Sequence, residues 1–115
     1  MVESCHYSSH IEDIIADCIL VKRINPNVAV AIVVRDMPNA TGLDVVFALV
    51  SIAQAVRLWH PKDQFEKELP HKLYEAGAIL GTDLFALEKL GIHPATCHAL
   101  TEFWGDDEHF FKLPK

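Results

Sequence analysis

Apolar residues return at helical spacing along most of the chain. Ile11, Ile14, Ile15, Cys18 and Ile19 are separated by alternating steps of three and one, with Glu12, Asp13 and Asp17 between them. That spacing makes an apolar stripe backed by an acidic face. Ser9 followed three residues later by Glu12 is a capping-box pattern, in which each side chain satisfies a free amide of the first turn. The pattern predicts a helix from Ser9 to about Ile24, and Lys22 and Arg23 near its end suit the helix dipole.

After Asn25-Pro26-Asn27 the run from Val28 to Val34 is continuously apolar and rich in β-branched residues. Two readings compete. Asn25 as cap with Pro26 at the first helical position favours a helix, whereas Val28, Val30, Ile32 and Val34 at period two favour a buried strand. The alternation carries more weight, so a short strand or hairpin at 28–34 is the expectation. It would pair with Cys18 to Arg23 or with its own copy in a second subunit.

Met37 to Gly42 reads as a loop, and Thr41 with Asp44 three residues on opens a helix over 43–59. This segment has almost no polar face, because Asp44, Ser51, Gln54 and Arg57 alone interrupt it before Trp59. A helix apolar on every side belongs at the centre of a structure, and a chain of 115 residues has few elements with which to wrap it. Subunit association would complete the burial, with an interface expected along Phe47, Ser51 and Gln54.

His60-Pro61 ends that helix. Lys62 to Leu69 then reads as a short charged helix with Phe65 and Leu69 inward, Pro70 opens another to Leu80, and Gly81 closes it. Thr82-Asp83 caps a helix to Leu90, and Gly91 stops it. Pro94 opens a last helix through Trp104. The domain plan is a lead over 1–8, one helical domain over 9–104 and an acidic, aromatic tail over 105–115. The fold class expected is mainly α: a compact domain of five or six helices around the apolar helix 43–59.

Composition narrows the function classes. Three cysteines without a C-x-x-C spacing suggest neither a disulfide framework nor a zinc ribbon, and a reducing compartment follows. The start shows no basic segment followed by an apolar run and a small-residue cleavage site, and no uncharged stretch approaches the ~20 residues of a membrane span. A cytoplasmic protein without a membrane partner is the expectation. The formal net charge of −6 repels phosphate backbones and counts against nucleic acid.

The segment Ala86-Leu87-Glu88-Lys89-Leu90-Gly91-Ile92-His93-Pro94-Ala95-Thr96-Cys97-His98-Ala99-Leu100 resembles the helix-turn-helix of bacterial transcription regulators. Gly91 takes the tight turn, Leu90 and Ile92 flank it, and Cys97 and Leu100 take the buried positions of the second helix. The resemblance implies a DNA-binding regulator using His93, Thr96, His98 and Thr101. Two features depart from the pattern. Leu87 stands where alanine is usual, and from Thr82 to Trp104 Lys89 is the sole basic residue against Asp83, Glu88 and Glu102. The groove-facing side would repel phosphates.

Seven histidines raise a metal alternative: zinc or another transition metal held by His6, His10, His93, Cys97 and His98, through four-residue spacings at each end of the chain. Cys97 near a helix start also invites a reactive thiolate, although His98, one residue on, points about 100° away from it. No hydrolase elbow, phosphate loop or dinucleotide-binding glycine pattern is present. Phe110 and Phe111 beside tail acids could dock in a partner's groove or fold back onto Trp104. The leading expectation is a non-catalytic interaction or regulatory protein whose partners are itself and another protein, with no resident cofactor.

Overall fold

The computed structural model describes residues 10–105 and 109–111. The Ser9 cap, Cys5, His6 and the outer tail lie outside the described residues. Within them the chain is helical, and the one β feature is an isolated antiparallel bridge between Thr41 and Thr96.

Helix α1 covers residues 10–21 and closes with a π-helical turn, Asp17–Val21. Ile11, Ile15, Cys18 and Ile19 are buried, as the stripe predicts. The wider turn lets Lys22 N–H reach the Asp17 carbonyl at 3.1 Å, and Arg23 then takes a φ of 57°, which ends the helix short of Ile24. That turn sends the Arg23 guanidinium over the Phe65 ring at 4.5 Å and onto the carboxylates of Asp63 and Glu66. The end of α1 is thereby tied to the start of the long helix described below.

Residues 28–34 are not a strand. They lie in α2, Pro26–Asp36, with Pro26 in its first turn as the cap reading had it. In a run where every residue is apolar, alternation is an alias: the buried positions Pro26, Ala29, Val30, Val33 and Val34 step by three and one, the rhythm of a helix face, with the small Ala31 buried as well. A helix also satisfies its backbone internally, whereas a strand here would have no neighbouring strand to bond.

The apolar centre forms α3, Gly42–Val56, capped by the Thr41 hydroxyl accepting from Asp44 N–H at 3.2 Å. It stops three residues before Trp59. Gly42, Val45, Ala48, Leu49, Ile52, Ala53 and Val56 make its core side. Its other side carries the exposed Leu43, Phe47 and Gln54, so the described helices enclose it on one side and do not wrap it completely.

The three short helices expected between Lys62 and Leu90 are one, α4, Gln64–Lys89, capped by Asp63 and about 39 Å long at ~1.5 Å per residue. Its breakers are absorbed. Pro70 gives up one intrahelical hydrogen bond, Thr82 Oγ1 donates to the Ala78 carbonyl at 3.0 Å, and Asp83 turns outward to another element instead of capping. A continuous stripe of Leu69, Leu73, Ala76, Gly77, Leu80 and Leu87 holds the helix on the core. Helices α3 and α4 pack antiparallel and close: a Cβ on Gly42 would meet Leu84 Cδ2, and one on Gly77 would lie 3.5 Å from Val50 Cγ2.

Helix α4 ends in a Schellman motif, with Gly91 at φ 87°, Gly91 N–H bonding the Glu88 carbonyl and Ile92 N–H the Leu87 carbonyl. The last helix, α5, is Cys97–Trp104. It does not start at Pro94, which follows a cis peptide bond, but after Thr96, whose hydroxyl accepts from Ala99 N–H at 3.2 Å. The caps of α3 and α5 lie side by side through the Thr41–Thr96 bridge. Gly42 N–H bonds the Ala95 carbonyl, Cys97 N–H the Ala40 carbonyl and His98 N–H the Pro38 carbonyl.

Candidate functional site

The feature that stands out chemically is an apolar face on the outer side of the α3–α4 pair. Leu43 is 64% exposed, Phe47 68% and Phe85 59%, with Tyr74 and Ile92 also in water. On α3 the exposed residues Leu43, Phe47 and Gln54 fall one and three turns apart. On α4 a second stripe, Tyr74, Ala78, Gly81 and Phe85, steps by four, three and four beside the core stripe. The antiparallel register that sets Gly77 against Val50 and Leu84 against Gly42 brings these two rows together. Where they meet, Leu43, Val46, Leu84, Phe85 and Ile92 line an apolar groove of about 400 Å³, with Glu88 and His93 on its rim 3.7 Å apart.

The floor of the face is low. A Cβ at Gly81 would meet nothing within 4 Å, so between the Leu43 and Phe85 sides of the groove there is room for an added side chain. From Tyr74 to Phe85 this stripe carries no ionisable group beyond the tyrosine phenol, and the nearest formal charges at its end are Glu88 and Lys89, whose ammonium lies 5.2 Å from the Phe85 ring centre.

The residues expected at an interface are thus divided. Phe47 and Gln54 are exposed on this face. Ser51 is half-buried on the α1 side, where its hydroxyl donates to Glu12 Oε2 at 3.0 Å. Phe110 is partly exposed, but Phe111 is 3% exposed, with ring centroids 5.4 Å from Trp104 and 5.0 Å from Phe110. Phe111 therefore closes the core and is withdrawn from any interface. Sequence reasoning missed Tyr74, Phe85 and Ile92 because it cut α4 into three; read as one helix, the 74, 78, 81, 85 spacing was available.

The helix-turn-helix residues take a different arrangement from the one their resemblance implies. Thr96 spends its hydroxyl on the cap, and Thr101 Oγ1 donates to the His98 carbonyl at 2.7 Å. The first amides of α5, those of Cys97 and His98, are bonded to Ala40 and Pro38 and are not free for a phosphate. His93 and His98 are exposed, each within 3.7 Å of a glutamate, Glu88 and Glu102 respectively.

Among the described residues, those of the metal set do not gather. His10 is exposed on α1, His93 and His98 lie on the surface, and Cys97 is completely buried. Among the described residues no group of three or more histidines, cysteines or acids is placed to hold a metal ion. Burial, aided by the nearby Asp44 carboxylate, pushes the Cys97 thiol up to about 12, which leaves it protonated and inert rather than nucleophilic. Burial also raises Cys18. No helix among the described residues is long and apolar enough to cross a membrane.

The chain matches no protein-family model, no curated protein and no solved structure. Its own residues are what a functional reading has to work from.

Proposed function

We propose that this chain is a non-catalytic interaction protein that uses the outer face of α3 and α4 to hold an apolar helical surface of another protein chain. One observation carries the reading: large side chains from two helices, Leu43 on one and Phe85 on the other, stand mostly in water around a shared groove, with Phe47 exposed one turn further along the first. Scattered exposed leucines are ordinary, but a contiguous apolar strip flanking a groove marks a binding surface. Its shape, with small residues on the floor and aromatics as walls, suits an amphipathic helix anchored at one-turn intervals. The described residues offer little to an alternative based on chemistry, since the buried thiols are neutral and the carboxylates on the groove rim are exposed to solvent.

Site-specific photocrosslinking in cells tests the proposal. A benzophenone side chain placed at position 47 is expected to yield discrete protein adducts that disappear when Phe85 is replaced by Glu. The same group at Asp13, exposed on α1 outside the strip, is expected to yield none. Absence of adducts at position 47, or adducts indifferent to Phe85→Glu, overturns the reading.

A further inference from the structure

The geometry points to a second copy of this chain as the occupant of the α3–α4 face, arranged about a two-fold axis. The inference rests on the interaction reading above and names its partner.

Area is the first argument. Taking roughly 150–250 Å² for a fully exposed large side chain, the exposures of Leu43, Phe47, Tyr74, Phe85 and Ile92 leave roughly 600 Å² of apolar surface in water. A stable pairing needs about 800 Å² from each partner, and a solitary monomer seldom displays an apolar patch beyond ~600 Å². Gln54, Ala78, Thr82 and Pro94, all exposed along or beside the same strip, bring it to the size of one half of a standard interface.

Charge is the second. The whole chain carries a formal −6, so two copies repel each other over most of their surfaces. The strip is where that repulsion is weakest, since Tyr74, Ala78, Gly81 and Phe85 are uncharged, the exposed Glu75 stands at its flank, and it ends in one acid, Glu88, next to one base, Lys89. An identical edge brings an acid and a base against a base and an acid. A nucleic acid or a strongly charged peptide finds no complementary charge there.

Shape is the third. A two-fold interface must be self-complementary, so each copy has to offer both a projection and the recess that receives it. Phe47 on α3 projects into water, and the groove at Gly81 on α4, lined also by Leu43, Val46 and Phe85, is recessed, with open space above Gly81. Rotating one copy by half a turn sets each Phe47 over the other copy's floor.

Light scattering and sedimentation equilibrium on the purified chain provide the test. The expected mass is twice that of one chain, with the dissociation constant raised at least about 30-fold by Phe47→Glu, the size of a hot-spot loss. Gly81→Leu serves as a second variant because it should not disturb the monomer fold: its side chain enters open space and improves helix propensity, so it is expected to raise thermal stability of the monomer while blocking the pairing. Circular dichroism confirms that both variants are folded. A wild-type chain that stays monomeric at about 100 μM, weaker than any specific standard-size interface, overturns the second-copy inference, as does a dimer unaffected by both substitutions. In that event the crosslinks from position 47 separate the two ideas: adducts to other chains leave the interaction reading standing with a different partner, and no adducts remove both.

Discussion

Trp104 and Asp83 are joined across two helices: the indole Nε1 of α5 donates to the Asp83 Oδ2 of α4 at 2.9 Å. The same oxygen lies 3.4 Å from His109 Nε2, and the His109 ring stacks on Trp104 with centroids 4.8 Å apart. One carboxylate thus anchors both the last helix and the returning tail, which Asn27 Nδ2 also holds by donating to the Phe110 carbonyl at 3.1 Å. Replacing Asp83 by Ala strands a partly buried indole donor. The expected loss is about 1–3 kcal/mol in urea unfolding, accompanied by a change in Trp104 fluorescence. An unchanged midpoint and spectrum would show that the carboxylate does not hold α5.

Phe111 and Phe110 are adjacent but are expected to respond unequally. Phe111→Ala removes a ring enclosed by Trp104 and its neighbours and should cost about 3 kcal/mol of stability, whereas Phe110→Ala, at a partly exposed ring, should cost under about 1 kcal/mol. Equal small effects in denaturant titrations would mean the tail does not close the core in solution.

Cys97 makes stability depend on alkaline pH. Its thiol titrates near 9.0 when unfolded and at about 12 when folded, so between those values the folded chain binds a proton that the unfolded chain has released. Stability attributable to this group is complete below pH 9 and declines as pH rises towards 12, at up to about 1.4 kcal/mol per unit. In a Cys5→Ser background, Cys97→Ala is expected to flatten the decline between pH 9 and 10.5 relative to its parent. The parent should also leave Cys97 unreactive to a thiol reagent at pH 8 until denaturant is added. Prompt native-state labelling at position 97 would contradict the burial argument.

Two glycines in the α3–α4 pair should give opposite signs when changed to alanine. At Gly42 the new methyl would press on Leu84 and lie 3.1 Å from Leu100 Cδ1, at an expected cost of about 1–2 kcal/mol. At Gly81 nothing lies within 4 Å, and the gain in helix propensity should raise stability by up to about 1 kcal/mol. Thermal melts of the two variants read the difference directly, and a shared sign would upset the packing described for this pair.

The α4–α5 turn leads to a fifth expectation. With the first amides of α5 bonded to Ala40 and Pro38 and with Glu88 and Glu102 beside the exposed histidines, a mobility-shift titration at low salt should show no retardation of duplex DNA at tens of micromolar, weaker than ordinary non-specific binding. Retardation at lower concentration would revive the helix-turn-helix reading.

Much of the architecture could be read before any coordinates. The Ile11–Ile19 stripe, the Thr41 cap, the Gly91 turn and the absence of a membrane-length segment are local facts, set by side-chain spacing and by which residues can satisfy a free amide or adopt a positive φ. Local signals failed where several outcomes share one pattern. At Val28–Val34 uniform apolarity carries no period, so β-branching weighed too heavily, and at Pro70, Gly81 and Thr82-Asp83 residues that often end helices lie inside one.

The chain's own order of residues therefore decided that it is helical, where most helices start and which residues supply the core. Tertiary structure decided which side of α3 stays wet, that Phe111 turns inward, that Asp83 serves Trp104 rather than a cap, and that Leu43 and Phe85 border one groove. The reason lies in range. Helix formation is governed by contacts three and four residues apart, whereas exposure is governed by which distant helix arrives to cover a face, and for Leu43 and Phe47 none of the described helices does.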